Sequence, residues 1–202
     1  MVDQYSHNSY FLVRHGEAEN NVRNILDAVT GKPEYPLTAR GRGQAAQTGE
    51  YLADQNIDFI VASPILRAKE TAEIIQKTLD VPLSFDVRLT EAKVGDFEGK
   101  TLDLFLDFMK EHGGRLAGLP EEGIEGYADI RERIRGFLQV TSESFTGKNI
   151  VIVSHGDPLQ EMYGELMGMG SERAEGSGGW YPEKGSCMLV ARDKTEEYVP
   201  KS

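Results

Sequence analysis

The sequence predicts an α/β fold, a mostly parallel central sheet with helices on both faces in three layers. Three observations lead there. Short apolar runs alternate with segments of helical period along the 202 residues. The apolar runs are continuous, as strands covered on both faces are, rather than strictly alternating. The segments between them are mostly long enough for crossover helices, which parallel neighbours require.

In chain order, YFLV (10–13) is the first strand and ends on Arg14-His15-Gly16. Residues 43–55 carry Ala45, Ala46, Leu52 and Ala53 in a helical pattern. FIVAS (59–63) is the second strand, and a helix over 65–79 follows, with Ala68, Ala72, Ile75 and Leu79 at helical spacing. PLSFD (82–86) is the third strand. LDLFLDFMK (102–110) is amphipathic, whereas HGGRLAGLPEEGIEG (112–126) has the glycines of a loop. Residues 101–126 are therefore expected as a helical and loop insert over the active site. Ile130, Ile134, Phe137 and Leu138 mark another helix, NIVIVS (149–154) a fourth strand, 159–167 a further helix and CMLVA (187–191) the last strand. No linker, repeat or low-complexity tract interrupts the pattern, so residues 1–202 are expected to form a single domain.

Composition narrows the function. With 39% hydrophobic and 27% charged residues the chain is ordinary for a globular protein. A net charge of −11 argues against nucleic acid or an anionic membrane as partner, since both need clustered Lys and Arg. A small anionic substrate stays open, because a pocket can be locally positive. Cys187 is the single cysteine, which excludes an intramolecular disulfide and a Cys-rich zinc site. The polar start MVDQYSHNS lacks an apolar stretch, and no run is long enough to span a bilayer, so a cytoplasmic protein is expected. Nothing in the pattern addresses oligomeric state.

Two strands, YFLV and NIVIVS, end at a His-Gly pair: His15-Gly16 and His155-Gly156. A lone histidine is usually surface decoration or a satisfied core group; two on the rim of one sheet are harder to dismiss, because ligands bind beyond the carboxyl ends of such strands. Glycine after each allows a ligand or backbone to come close. A metal site is weakly supported: no HExxH occurs, although Asp157, two residues after His155, keeps it open. GxSxG is absent, and Gly99-Lys100-Thr101 fails as a P-loop because Val94 stands where its first glycine belongs. A nucleophilic histidine is the remaining enzyme chemistry. A neutral imidazole nitrogen can take a phosphoryl group and divide one displacement into two. Such a site needs cations on the equatorial oxygens, for which Arg14 and Arg67 are placed, and an acid for the leaving oxygen, for which Glu91 lies on a rim loop.

The ordered set of motifs resembles the histidine phosphatase superfamily, also called phosphoglycerate-mutase-like. The set comprises Arg14-His15-Gly16-Glu17 with Asn20, Pro36-Leu37-Thr38 with Gly41, and Ser63-Pro64 with Arg67-Ala68 and Thr71-Ala72. It continues with Leu89-Thr90-Glu91, Gly95, Phe97-Glu98-Gly99 and Ser154-His155-Gly156. The resemblance implies that His15 is the phosphorylated nucleophile and that Arg14, Arg67 and His155 hold the phosphoryl group. It implies Glu91 as acid and then base, Asn20 as a further phosphate contact, and no metal or organic cofactor. Pro36-Leu37-Thr38 and Gly41 are expected to be architectural. The two histidines would reach one pocket from opposite sides.

Three positions depart from the family pattern. Phe97 stands where tryptophan is common, Gly126 where serine is usual, and Lys184-Gly185-Ser186 where an asparagine often precedes the last strand. Relatives that are true mutases carry a longer insert with an arginine pair; between Lys100 and Gly126 this chain has only Arg115 and Pro120. A metal-independent phosphatase acting on a small phosphorylated metabolite is therefore favoured. The alternatives are a phosphoglycerate mutase dependent on 2,3-bisphosphoglycerate, and a regulatory or binding protein of the same fold without catalysis. A short lid of Met109, Leu116 and Leu119 would suit varied phosphomonoesters, but core packing explains those residues equally well.

Overall fold

The computed structural model describes residues 3–29, 35–114, 118–169 and 180–201. Six strands form one sheet in the order β3-β2-β4-β1-β5-β6: β1 (Ser9–Arg14), β2 (Phe59–Ala62), β3 (Leu83–Phe85), β4 (Asn149–Ser154), β5 (Cys187–Val190) and β6 (Thr195–Tyr198). β1 pairs with β4, β4 with β2 and β2 with β3 in parallel, while β5 and β6 run antiparallel at one side. The expected mostly parallel sheet is present, made mixed by β5 and β6 and with one strand more than the sequence pattern gave. β6, TEEY, has three exposed residues and lacks the apolar run that marks a covered strand.

Side-chain alternation along the central strands builds two cores. Phe11 and Val13 of β1 and Val151 and Val153 of β4 join Leu52, Ala68, Ala72 and Ile75 on one face, from α2 (Ala39–Leu52) and α3 (Leu66–Leu79). Tyr10, Leu12, Ile150 and Ile152 turn the other way. They meet Ile134 and Phe137 of α5 (Tyr127–Ser144) and Leu159 and Met162 of α6 (Gly156–Met167). Those are the three layers. Each fully buried aliphatic side chain contributes about 2 kcal/mol, so the strands are fixed at their middles and free to carry polar groups at their ends.

The helix starts differ from the sequence reading because caps set them. α2 begins at Ala39 rather than residue 43: Thr38 Oγ1 accepts the Gly41 N–H at 3.0 Å, confirming the architectural role of that motif. α6 begins directly after His155, three residues earlier than its apolar pattern. α5 starts at Tyr127, where the Asp129 carboxylate accepts the Gly126 N–H at 2.9 Å; Gly126 has no side chain to return the reciprocal cap.

The insert region contains α4 (Leu102–Glu111), which buries Phe105 and Met109. These pack with Ala28, Val94 and Ile124 as a third, smaller cluster, and Leu119 lies against it. Met109 and Leu119 thus serve core packing; Leu116 lies outside the described residues.

Candidate active site

β1 and β4 are adjacent, and Arg14 pairs directly with Ser154. The next residues, His15 and His155, therefore arrive side by side, with ring centroids 5.1 Å apart. This corrects the expectation of delivery from opposite sides. After β1 the chain moves through α2 toward β2, and after β4 through α6 toward β5 on the other flank. The pair thus marks the point where strand order diverges, the usual ligand position in an open α/β sheet.

The glycines after the histidines admit protein rather than ligand. A Cβ on Gly16 would stand 2.3 Å from the Gly41 carbonyl oxygen, and one on Gly156 2.1 Å from the Tyr181 hydroxyl. Gly16 lets the N-terminus of α2 cross the end of β1, and Gly156 lets Tyr181 close over α6.

Both histidines are buried, at 1% and 0% exposure. Burial first, and then the Arg67 guanidinium, hold each imidazole well below the ordinary histidine range, so both are neutral. His15 Nδ1 lies 2.7 Å from the Gly16 carbonyl, which can only accept, so Nδ1 carries the proton. Nε2 then holds the lone pair, and Arg67 Nε donates to it at 3.1 Å. His155 is held at its other nitrogen: Nε2 lies 2.8 Å from Ser63 Oγ. Ser63 Oγ also accepts the Ile65 N–H at 3.3 Å; with its hydroxyl proton turned to His155 Nε2, the ring proton lies on Nδ1. His155 Nδ1 and Arg14 Nε are buried without a protein partner.

The arginines come from two elements. Arg14 ends β1, donates from Nη1 to the Pro182 carbonyl at 2.8 Å, and lies over the Tyr181 ring at 5.2 Å. Arg67, in the first turn of α3 and 2% exposed, donates from Nη1 to Asp27 Oδ2 at 2.6 Å and from Nη2 to the Asp27 carbonyl at 2.7 Å. Glu91 is half-buried on the loop after β3. Desolvation first, then the Asp157 carboxylate, push its carboxyl above the usual range. Its loop is pinned from beneath. Ser154 Oγ donates to the Leu89 carbonyl at 2.6 Å, and Arg133, paired with Glu125 at 3.2 Å, donates to the carbonyls of Arg88 and Glu91.

These groups line one cavity of about 270 Å³, together with Asn20, Asn21, Asn24, Asp27, Leu102, Asp157, Tyr181 and Lys184. All but one of the residues expected from the sequence line it; His155 lies just behind, ring to ring with His15. Asn20 donates from Nδ2 to the Ile25 carbonyl at 3.1 Å and keeps a buried Oδ1 without partner. Its neighbour Asn21 accepts the Ala18 N–H on Oδ1 at 3.1 Å, which leaves its NH₂ as the end to offer a ligand. Sequence reasoning missed Asn21, Asp27, Tyr181 and Lys184. Tyr181 and Lys184 reach the rim because β5 is antiparallel to β1, so the segment before β5 starts where β1 ends. Gly185 N–H donates to the Arg14 and His15 carbonyls, both at 3.1 Å. Among the described residues no cluster of three or more His, Cys, Asp or Glu could hold a metal ion, and no helix is long and apolar enough to cross a membrane.

Comparison with known proteins gives the family. Residues 10–192 match the histidine phosphatase superfamily, branch 1. The chain is 34% identical over 157 residues to an uncharacterized phosphatase, PhoE, of Bacillus subtilis (strain 168), covering 78% of this chain and 76% of that protein. It is 32% identical over 163 residues to a probable phosphoglycerate mutase, GpmB, of Salmonella arizonae, covering 79% of this chain and 74% of that one. Among solved structures, Bacillus stearothermophilus YhfR superposes with a TM-score of 0.77 at 26% identity, over 95% of both chains.

Proposed function

The chain belongs to the histidine phosphatase superfamily, branch 1, and on that premise we propose that it is a metal-independent phosphatase of small phosphomonoesters working through a phosphohistidine on His15. The observation that carries this reading is the state of His15: neutral, protonated on Nδ1, with the Nε2 lone pair directed to the cationic end of the cavity.

The chemistry follows from those positions. The phosphoryl group sits among Arg14, Arg67 and the N–H of His155 Nδ1, which hold its equatorial oxygens. The Nε2 lone pair forms the N–P bond as the ester P–O bond breaks. The positive charge that develops on the His15 ring is eased by its Nδ1–H bond to Gly16. Glu91, kept protonated by burial and by Asp157, gives its proton to the leaving alkoxide. As a carboxylate it then takes a proton from water; the water oxygen bonds to phosphorus, and the N–P electron pair returns to Nε2. A cavity of about 270 Å³ suits a small metabolite. We further propose that the described part of residues 101–126 forms one wall of this pocket within a single catalytic unit, since Leu102 lines it and α4 packs behind.

The likeness to a probable mutase supports the second reading, phosphoryl transfer between two positions of phosphoglycerate. Phosphorus NMR of the protein with 3-phosphoglycerate, a trace of 2,3-bisphosphoglycerate and a panel of phosphomonoesters, all in EDTA, separates the two. Inorganic phosphate released from members of the panel is expected. Appearance of 2-phosphoglycerate without phosphate release would establish the mutase reading instead.

A further inference from the structure

The cavity is less positive than a site for two anions needs to be. Among the described residues it carries three cationic side chains, Arg14, Arg67 and Lys184, and three carboxyls, Asp27, Glu91 and Asp157. Arg67 is already paired. Asp27 meets it with a carboxylate oxygen at 2.6 Å and a carbonyl at 2.7 Å, both partners being nearly fully buried. Asp157 follows His155 by two residues, is 7% exposed, and accepts from the Tyr181 hydroxyl at 3.5 Å. Lys184 is shared with a neighbouring groove that contains Glu17 and Arg40, and the Glu17 carboxylate acts on it. A phosphoryl dianion can be met by Arg14, Arg67 and the two rings. A second negative group on the alcohol portion would meet the Asp27 and Asp157 carboxylates that line the cavity, and like charges repel.

We propose that Asp27 and Asp157 are specificity-determining residues that restrict the pocket to phosphomonoesters whose alcohol portion carries no second anion, polyol and sugar phosphates being the class that fits. The Asn24 amide and the Asp157 carboxylate on the cavity wall can bond hydroxyl groups on such an alcohol. This inference rests on the phosphatase reading for its consequence in turnover, but its physical content is a binding preference that can be measured apart from it.

The test uses two esters of one skeleton, glycerol 3-phosphate and 3-phosphoglycerate, which differ by a hydroxymethyl group against a carboxylate. In the wild-type protein kcat/KM for phosphate release is expected to be at least about tenfold higher for glycerol 3-phosphate, a difference of about 1.4 kcal/mol. Asp157→Asn should shrink that ratio severalfold. Asp27→Asn should shrink it too, with an added loss on both esters as Arg67 is unseated. The same preference, read by calorimetry as a ratio of dissociation constants, is expected in His15→Ala, where turnover plays no part. Equal binding of the two esters to His15→Ala, or a ratio that neither Asp variant moves, overturns the inference. A binding preference with no turnover by the wild-type protein would keep it and sink the phosphatase reading.

Discussion

His15 and His155 are built alike and held oppositely. Each follows a buried parallel strand, each precedes a glycine, each ring is neutral through burial beside Arg67. The difference is which nitrogen is tethered. His15 is tied at Nδ1 to its neighbour's carbonyl, which leaves a lone pair at Nε2. His155 is tied at Nε2 to Ser63, and with the Ser63 proton in that bond an N–H is left at Nδ1. One sequence motif thus yields two rings that can serve as an electron-pair donor and a proton-bearing donor, the difference set by whether the backbone carbonyl at Nδ1 or the serine at Nε2 does the holding.

The largest effect that could break this comparison is at His15. His15→Ala should lower kcat by about 10⁴-fold or more, and the acid-labile phosphate trapped on the protein with substrate should vanish. His155→Ala should cost about 10²- to 10³-fold, the loss of one preorganised donor, with phosphoprotein still formed. If the His155 variant lost the phosphoprotein and the His15 variant kept it, the two roles would have to be exchanged. Ser63→Ala sharpens the contrast: it removes the bond that sets the His155 proton and should cost roughly tenfold, with little change in the His15 phosphorylation site. Glu91 supplies the pH signature. Its raised carboxyl is lost as an acid when pH climbs through the raised value, while neutral His15 survives below the ordinary histidine range. The rate profile should therefore be displaced to acid pH, and Glu91→Gln should remove the alkaline limb.

The smallest prediction treats both histidines alike. Their folded-state pKa values are depressed, so below pH about 6.5 the unfolded chain binds protons that the folded one refuses. Stability should be full above that pH and fall below it by up to about 1.4 kcal/mol per pH unit for each ring. Urea unfolding across pH 5–7 checks this. Either alanine variant should halve that part of the slope, despite their unequal effects on turnover.

The strand-end motifs were the legible part of this molecule. NIVIVS matches β4 residue for residue because an apolar run covered on both faces has one plausible conformation. His15, Arg67, Glu91 and His155 could be named as well, since each stands at or shortly after a strand terminus. Asp27 could not. Its place depends on the path of a loop fixed by the Glu98 carboxylate accepting the Ala28 N–H at 3.0 Å and by the Leu26 N–H bonding the Lys100 carbonyl at 2.9 Å, contacts between segments far apart in sequence. Tyr181 and Lys184 were hidden for a related reason: their approach depends on β5 being antiparallel, and strand direction has no local signal. β6 escaped because an edge strand exposed on both sides needs no apolar residues.

The latch of Gly185 and Ser186 onto the end of β1 has a consequence for the order of biosynthesis. His15 comes before all of its strand partners along the chain, because β1 finds its parallel neighbour only at β4 and its antiparallel one only at β5. The backbone at His15 is held only once β4 and β5 have been made, as expected for a centre assembled from long-range pairings. A nascent chain halted before Tyr181 would expose one flank of β1 and lack the wall carrying Tyr181 and Lys184, so the pocket would be complete only after that segment has emerged.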